Sequence, residues 1–113
     1  MPLLVVDPWH WLTEGGHLPV DNPHLYERVL RIAIFIEYGG PLAKNETRET
    51  LVQCKRRPNE RACPGLMWVI KTADDRVLAR CLVCREEEAL VHNWQGTDWA
   101  NGPMEPVPVT LDD

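Results

Sequence analysis

The chain has 113 residues, a length that suits one domain, and 44% of them are hydrophobic, enough to bury a core. Its net charge of −5 argues against a general nucleic-acid binder, and no apolar run approaches the roughly 18 residues of a membrane span. Serine is absent, which removes every serine-nucleophile mechanism at once.

Taken in order, Leu3 to Val6 is short and apolar, an edge strand or a strap over the core. Asp7 followed by Pro8 reads as a helix cap with proline at the first helical position, opening a brief turn through Trp9-His10-Trp11-Leu12. Two tryptophans flanking a histidine could form a ligand cage; anchoring the N-terminal arm to the core is the commoner use of such a pair. Asn22-Pro23 repeats the cap signal and starts the main helix, His24 to Tyr38, which Gly39-Gly40-Pro41 ends with glycine at the C-cap. Leu25, Val29, Ile32, Ala33 and Ile36 share one face of it, Glu27, Arg28 and Arg31 lie opposite, and Leu30, Ile34 and Phe35 widen the apolar surface. That width points to burial against a sheet, with a dimer contact as the alternative.

A polar connection, Leu42 to Arg48, leads to a strand at Glu49–Gln53. All four cysteines then follow in the pattern C-x8-C-x17-C-x2-C: Cys54, Cys63, Cys81 and Cys84. Leu66 to Thr72 and Val77 to Leu82 are strand-like in composition with a turn at Ala73-Asp74-Asp75-Arg76, so a hairpin carries the chain from one cysteine pair to the other. Arg85-Glu86-Glu87-Glu88 reads as a solvated turn that could pair with Arg56, Arg57 or Arg61, and Ala89 to Trp94 offers another strand. Trp94 and Trp99 flank a Gly-Thr-Asp turn, and their rings either fold back onto the core or form an aromatic platform. Residues 104–113 form a proline-spaced, extended tail.

Four thiols in two groups suit one tetrahedral Zn²⁺, which structural sites hold with four thiolates. Cys81–Cys84 has the two-residue spacing that turns both sulfurs to one ion, while the eight residues between Cys54 and Cys63 must bulge away before returning. Two disulfides, in any of three pairings, are the alternative. The expected setting is cytoplasmic, since the N-terminus lacks the basic start and apolar core of a secretory signal, and a reducing compartment favours metal. Thiol redox chemistry at Cys81–Cys84 is weaker, because the pair follows a strand instead of opening a helix.

This order of cysteine loop, hairpin, C-x2-C knuckle and further strand resembles the zinc-ribbon group of domains over residues 50–94, with Cys54, Cys63, Cys81 and Cys84 at the ligand positions. It departs from that pattern in the long first loop and in Arg85, where such knuckles often carry glycine. With Cys63-Pro64-Gly65 and Asn93 to Trp99 included, the chain also looks like small uncharacterised bacterial zinc-ribbon proteins. The expected architecture is α+β: an antiparallel zinc-ribbon sheet of three or four strands covered by one helix. The single domain divides into an arm and helix (1–41), the ribbon sheet (48–94), and a tryptophan loop with its tail (95–113).

Four cysteines close the coordination sphere, leaving no position for catalytic water, and His10, His17, His24 and His92 lack ligand spacing. There is no phosphate-binding glycine motif either, so the expectation is a non-enzyme with one structural Zn²⁺. Two binding roles follow. The first is a protein-interaction module, possible as a homodimer. The second is a nucleic-acid binder in which Lys55, Arg56, Arg57 and Arg61 contact phosphates and Trp94 or Trp99 stacks bases. Residues 54–85 hold eight basic side chains against three acidic ones, which favours the second; the acidic remainder favours the first.

Overall fold

The structure, a computed structural model, describes residues 4–57 and 60–102. The tail expected over 104–113 lies outside these residues. Five strands, β1 (Leu4–Val6), β2 (Thr47–Gln53), β3 (Leu66–Lys71), β4 (Val77–Cys81) and β5 (Glu87–Val91), form one sheet in the order β1-β5-β4-β3-β2. One helix, α1 (Pro23–Gly39), packs on it. The class is α+β, as the sequence implies, but the sheet has five strands instead of three or four.

The added strand is β1. It pairs parallel to β5, with Val5 opposite Leu90, while the other pairings are antiparallel. The N-terminal arm is therefore part of the same sheet. Asp7 caps the 3₁₀ turn Pro8–His10 by accepting from the Trp9 amide at 3.0 Å. Trp9 then donates its indole N–H to the Asn93 carbonyl at 2.9 Å, tying the arm to the end of β5.

The helix starts as its cap signal requires, with the Asn22 side chain accepting from the Leu25 amide at 3.2 Å and Pro23 at the first position. Its end differs from expectation. Gly40 is right-handed (φ −56°), not the left-handed glycine of a usual C-cap. The two glycines serve close approach instead: a Cβ on Gly39 would lie 2.7 Å from Val77 Cγ1, and one on Gly40 would strike the Ala100 carbonyl. Lys71, buried on β3, finishes the helix by donating from Nζ to the carbonyls of Gly40 at 2.9 Å and Leu42 at 3.0 Å. A cation at a helix C-terminus opposes the macrodipole and satisfies carbonyls that have no intrahelical donor.

Alternation along the strands sorts the two faces. Met67, Val69 and Lys71, with Val77, Ala79 and Cys81, are buried beneath α1, which brings Ile32, Phe35 and Ile36 into the core. No large apolar side chain of α1 is exposed, so its wide apolar surface is used within the domain. Leu66, Trp68, Ile70, Leu78 and Leu90 alternate with these positions, stay half-buried and remain outside the core cluster. Among the described residues, then, one face of the sheet carries the helix and the other is open.

Candidate metal centre

The four cysteines come from three places brought together by the hairpin. Cys54 follows β2, Cys63 precedes β3, Cys81 ends β4 and Cys84 closes the knuckle after it. Strand β2 reaches the site through an irregularity between Glu49 and Gln53, where the buried Thr50 hydroxyl donates to the Met67 carbonyl at 2.8 Å and accepts from the Val52 amide at 3.0 Å. The long first loop turns back through a Cys63 amide bond to the Arg56 carbonyl at 3.0 Å. In the knuckle, Arg85 has φ 63°, the left-handed region that favours glycine. The residue at which the sequence departs from the ribbon pattern thus adopts the backbone a glycine would have supplied.

All four Sγ atoms lie within 4.8 Å of one another, with Cys54 to Cys84 at 3.8 Å and Cys63 to Cys81 at 3.6 Å. A zinc tetrathiolate with Zn–S bonds of about 2.3 Å has tetrahedral edges of about 3.8 Å. The four thiols are free, since no disulfide joins them. They form the one group of three or more metal-ligating side chains found among the described residues, and none of the histidines belongs to it.

The surroundings supply donors to each sulfur. The Gly65 amide donates to Cys63 Sγ at 3.4 Å, the Arg56 amide serves Cys54, those of Val83 and Cys84 serve Cys81, and that of Glu86 serves Cys84. Burial pushes the Cys54 thiol up to about 12, with the neighbouring thiols adding to the rise and the Arg56 amide opposing it. Burial also dominates at Cys84 and raises it. At Cys81 burial again favours the thiol, but two backbone amides and the Cys63 and Cys84 sulfurs outweigh it and the net displacement is downward. A metal-free cluster therefore retains protons that a bound cation would displace. The donor set, its spacing and its amide bonds fit one tetrahedral ion such as Zn²⁺.

The basic residues of the first loop separate into two groups. Lys55, Arg56 and Arg57 line a cavity of about 590 Å³ beside Cys84, whereas Arg61 is exposed and outside it. The glutamate run is not wholly a solvated turn: Glu87 begins β5, and Glu88 is buried. Its carboxylate accepts from Arg31 Nε at 2.7 Å and from a second Arg31 nitrogen at 2.8 Å, and Lys55 Nζ lies 3.8 Å away. Arg56 does meet the run, through the Glu87 carbonyl at 3.0 Å. The sequence places Arg31 on the polar helix face but gives no sign of this partner, 57 positions away.

Trp94 is 5% exposed; its indole N–H donates to the Asp75 carbonyl at 2.8 Å, and Lys71 Nζ sits 4.3 Å from the ring centroid. Trp99 is half-buried against the core, as is Trp11, while Trp9 stays 39% exposed. No protein-family model, curated protein or solved structure matches the chain.

Proposed function

We propose that the chain is a structural zinc-binding protein acting as a protein-interaction module, assembling with a second copy of itself through the open face of its sheet. The metal part of this reading rests on four sulfurs at tetrahedral spacing, each accepting a backbone amide. The likeness to zinc ribbons supports zinc as the ion. Four thiolates leave no position for water, so the ion's work is structural and the module is not an enzyme. A reducing, cytoplasmic setting accords with four free thiols. Elemental analysis beside a thiol titration tests this: one zinc per chain, with thiols protected until a chelator is added, is the expected result. Metal-free protein that readily forms disulfides would bring the redox reading forward.

The interaction part rests on the sheet face left open among the described residues. Trp68, Ile70, Leu78 and Leu90 form its centre, with Leu51 and Val5 exposed at its sides. Arg80 stands cross-strand from both Trp68 and Glu87 there, and Glu49 from Trp68, so both signs of charge border the apolar centre. A patch with an apolar centre and mixed charges can complement its own copy about a two-fold axis. Sheets pack face to face at about 10 Å with the side chains interdigitating. Sedimentation at micromolar concentrations should show a dimer that Leu78→Arg dissociates without loss of zinc. A wild-type monomer throughout would defeat the assembly.

The nucleic-acid reading has less support. Trp94 is buried beneath Lys71 and offers no free face to a base, and Lys55, Arg56 and Arg57 line a cavity that Arg61 does not join.

A further inference from the structure

The cavity beside the metal centre lies between α1, the N-terminal arm and the first cysteine loop, and none of its cationic lining is needed to hold a metal. Its volume of about 590 Å³ is within the range of small-molecule sites, roughly 300–1,000 Å³. Leu4, Trp11 and Ile32 give it apolar surface. Five cations also line it, against Glu86 and Glu88.

These cations differ in what they already do. Arg31 and Lys55 face Glu88. Arg56 and Arg57 each give one hydrogen bond to a backbone carbonyl, of Glu87 and Glu60, leaving most of their five guanidinium donors uncommitted. Arg28, which extends from the exposed side of α1 to the rim, makes no hydrogen bond or ion pair with a described residue. A zinc tetrathiolate would add two negative charges behind Cys84, yet the formal charge of the lining would remain positive.

From this pairing of apolar wall and guanidinium rim we infer that the cavity binds a small organic oxyanion: a carboxylate or phosphate carried on an apolar, ring-sized body. The body lies against Trp11, Leu4 and Ile32. The oxyanion meets Arg28, Arg56 and Arg57, whose planar forks match carboxylate and phosphate oxygens. The Arg31–Glu88 pair keeps the wall rigid beneath it. This site is distinct from the open sheet face, and its failure would leave the zinc and assembly readings standing.

The test titrates zinc-loaded protein with benzoate and with phenyl phosphate, following ¹H–¹⁵N amide and indole signals, beside phenol and inorganic phosphate as the separate halves of the ligand. Saturable shifts at Trp11, Arg28, Ile32 and Cys84 are expected with at least one aryl oxyanion. In the Arg28→Gln/Arg57→Gln variant, affinity should drop about tenfold or more, the loss expected for charged hydrogen bonds. Whichever aryl oxyanion binds tighter identifies the headgroup. Phenol binding as tightly would reduce the cavity to an apolar hole, and inorganic phosphate binding as tightly would reduce it to a cluster of charge; either overturns the proposal. No saturable shift with any probe overturns it too, as does binding that the double variant leaves unchanged while its spectrum shows the native fold.

Discussion

Removing the metal is expected to lower the thermal midpoint substantially while leaving a cooperatively folded protein. The ion would pin the end of β2, the entry to β3 and the knuckle after β4, three segments also joined by backbone bonds such as Cys54 N–H to the Gly65 carbonyl. In zinc-finger peptides, which have little core, the ion supplies about 10–16 kcal/mol and the apo form is unfolded. This chain differs, because Phe35, Ile36, Val69, Val77 and Val91 are fully buried in a helix-on-sheet core of which Cys54, Cys63 and Cys81 make up only a part. A ligand at a thousandfold excess over its dissociation constant contributes about 4 kcal/mol, a sizeable share of the roughly 5–15 kcal/mol typical of a domain. At about 4–8 °C per kcal/mol for a domain near 100 residues, the midpoint should fall by roughly 15–30 °C. Scanning calorimetry with and without a chelator reads the shift, and near-ultraviolet circular dichroism reads the packing of Trp94 and Trp11. An unchanged midpoint would mean the cluster holds no metal. Loss of the heat-absorption peak and of the tryptophan signal would mean the helix-on-sheet core cannot stand alone, and the energetic argument would fail.

Two further outcomes follow from single side chains. A Cβ at Gly65 would lie 2.7 Å from Cys81 Sγ and 2.8 Å from Val83 Cγ2, and a metal-held sulfur cannot retreat. Gly65→Ala should cost about 1–3 kcal/mol of overpacking, felt as a loss of zinc affinity of roughly 5- to 150-fold in competition with a chelator; wild-type affinity would refute the contact. Glu88→Gln removes the charge and one of the two acceptor oxygens facing Arg31, leaving it an amide oxygen and the Gln53 carbonyl at 3.0 Å, and should destabilise by about 2–4 kcal/mol, somewhat under the cost for full burial. Burial alone would raise the Glu88 carboxyl, but the Arg31 bonds outweigh it, with Lys55 and Arg56 assisting, and hold it below its ordinary value of 4.5. Its folded value lies below its unfolded one, so its stabilisation is complete above that ordinary value and disappears as pH falls through the folded one. Denaturant curves of the two proteins should therefore differ most at neutral pH and converge in acid; a constant gap would refute the ion pair as the cause.

What could be read from the sequence was local. Cap residues Asp7 and Asn22, the hairpin turn and the two-residue spacing of Cys81 and Cys84 each act within a few positions, and each has the expected geometry. What escaped depends on distant partners. The pairing of β1 with β5 joins Leu4 to Ala89, and three apolar residues carry no mark of the strand they will meet. Lys71 alternates with Met67 and Val69, which assigns it to the buried face, yet a lysine ordinarily counts against burial; the carbonyls at the end of α1, the Trp94 ring and the Asp75 carboxylate explain it. Gly39 and Gly40 look like a helix stop and are also sites of close contact with Val77 and Ala100, a role that composition cannot separate from capping.

The same long-range contacts join the metal centre to the cavity. Arg31 holds the Gln53 carbonyl, one residue before Cys54, with the guanidinium that also grips Glu88 on β5. Lys55 and Arg56, immediately after Cys54, reach back to Glu88 and the Glu87 carbonyl. Cys54 is thus bracketed by bonds to the cavity wall, and fixing its sulfur in a tetrahedron fixes the start of the loop that carries Arg56 and Arg57. The first three residues of that loop, Lys55, Arg56 and Arg57, line the cavity, while the loop's two ends are Cys54 and Cys63 of the thiol cluster.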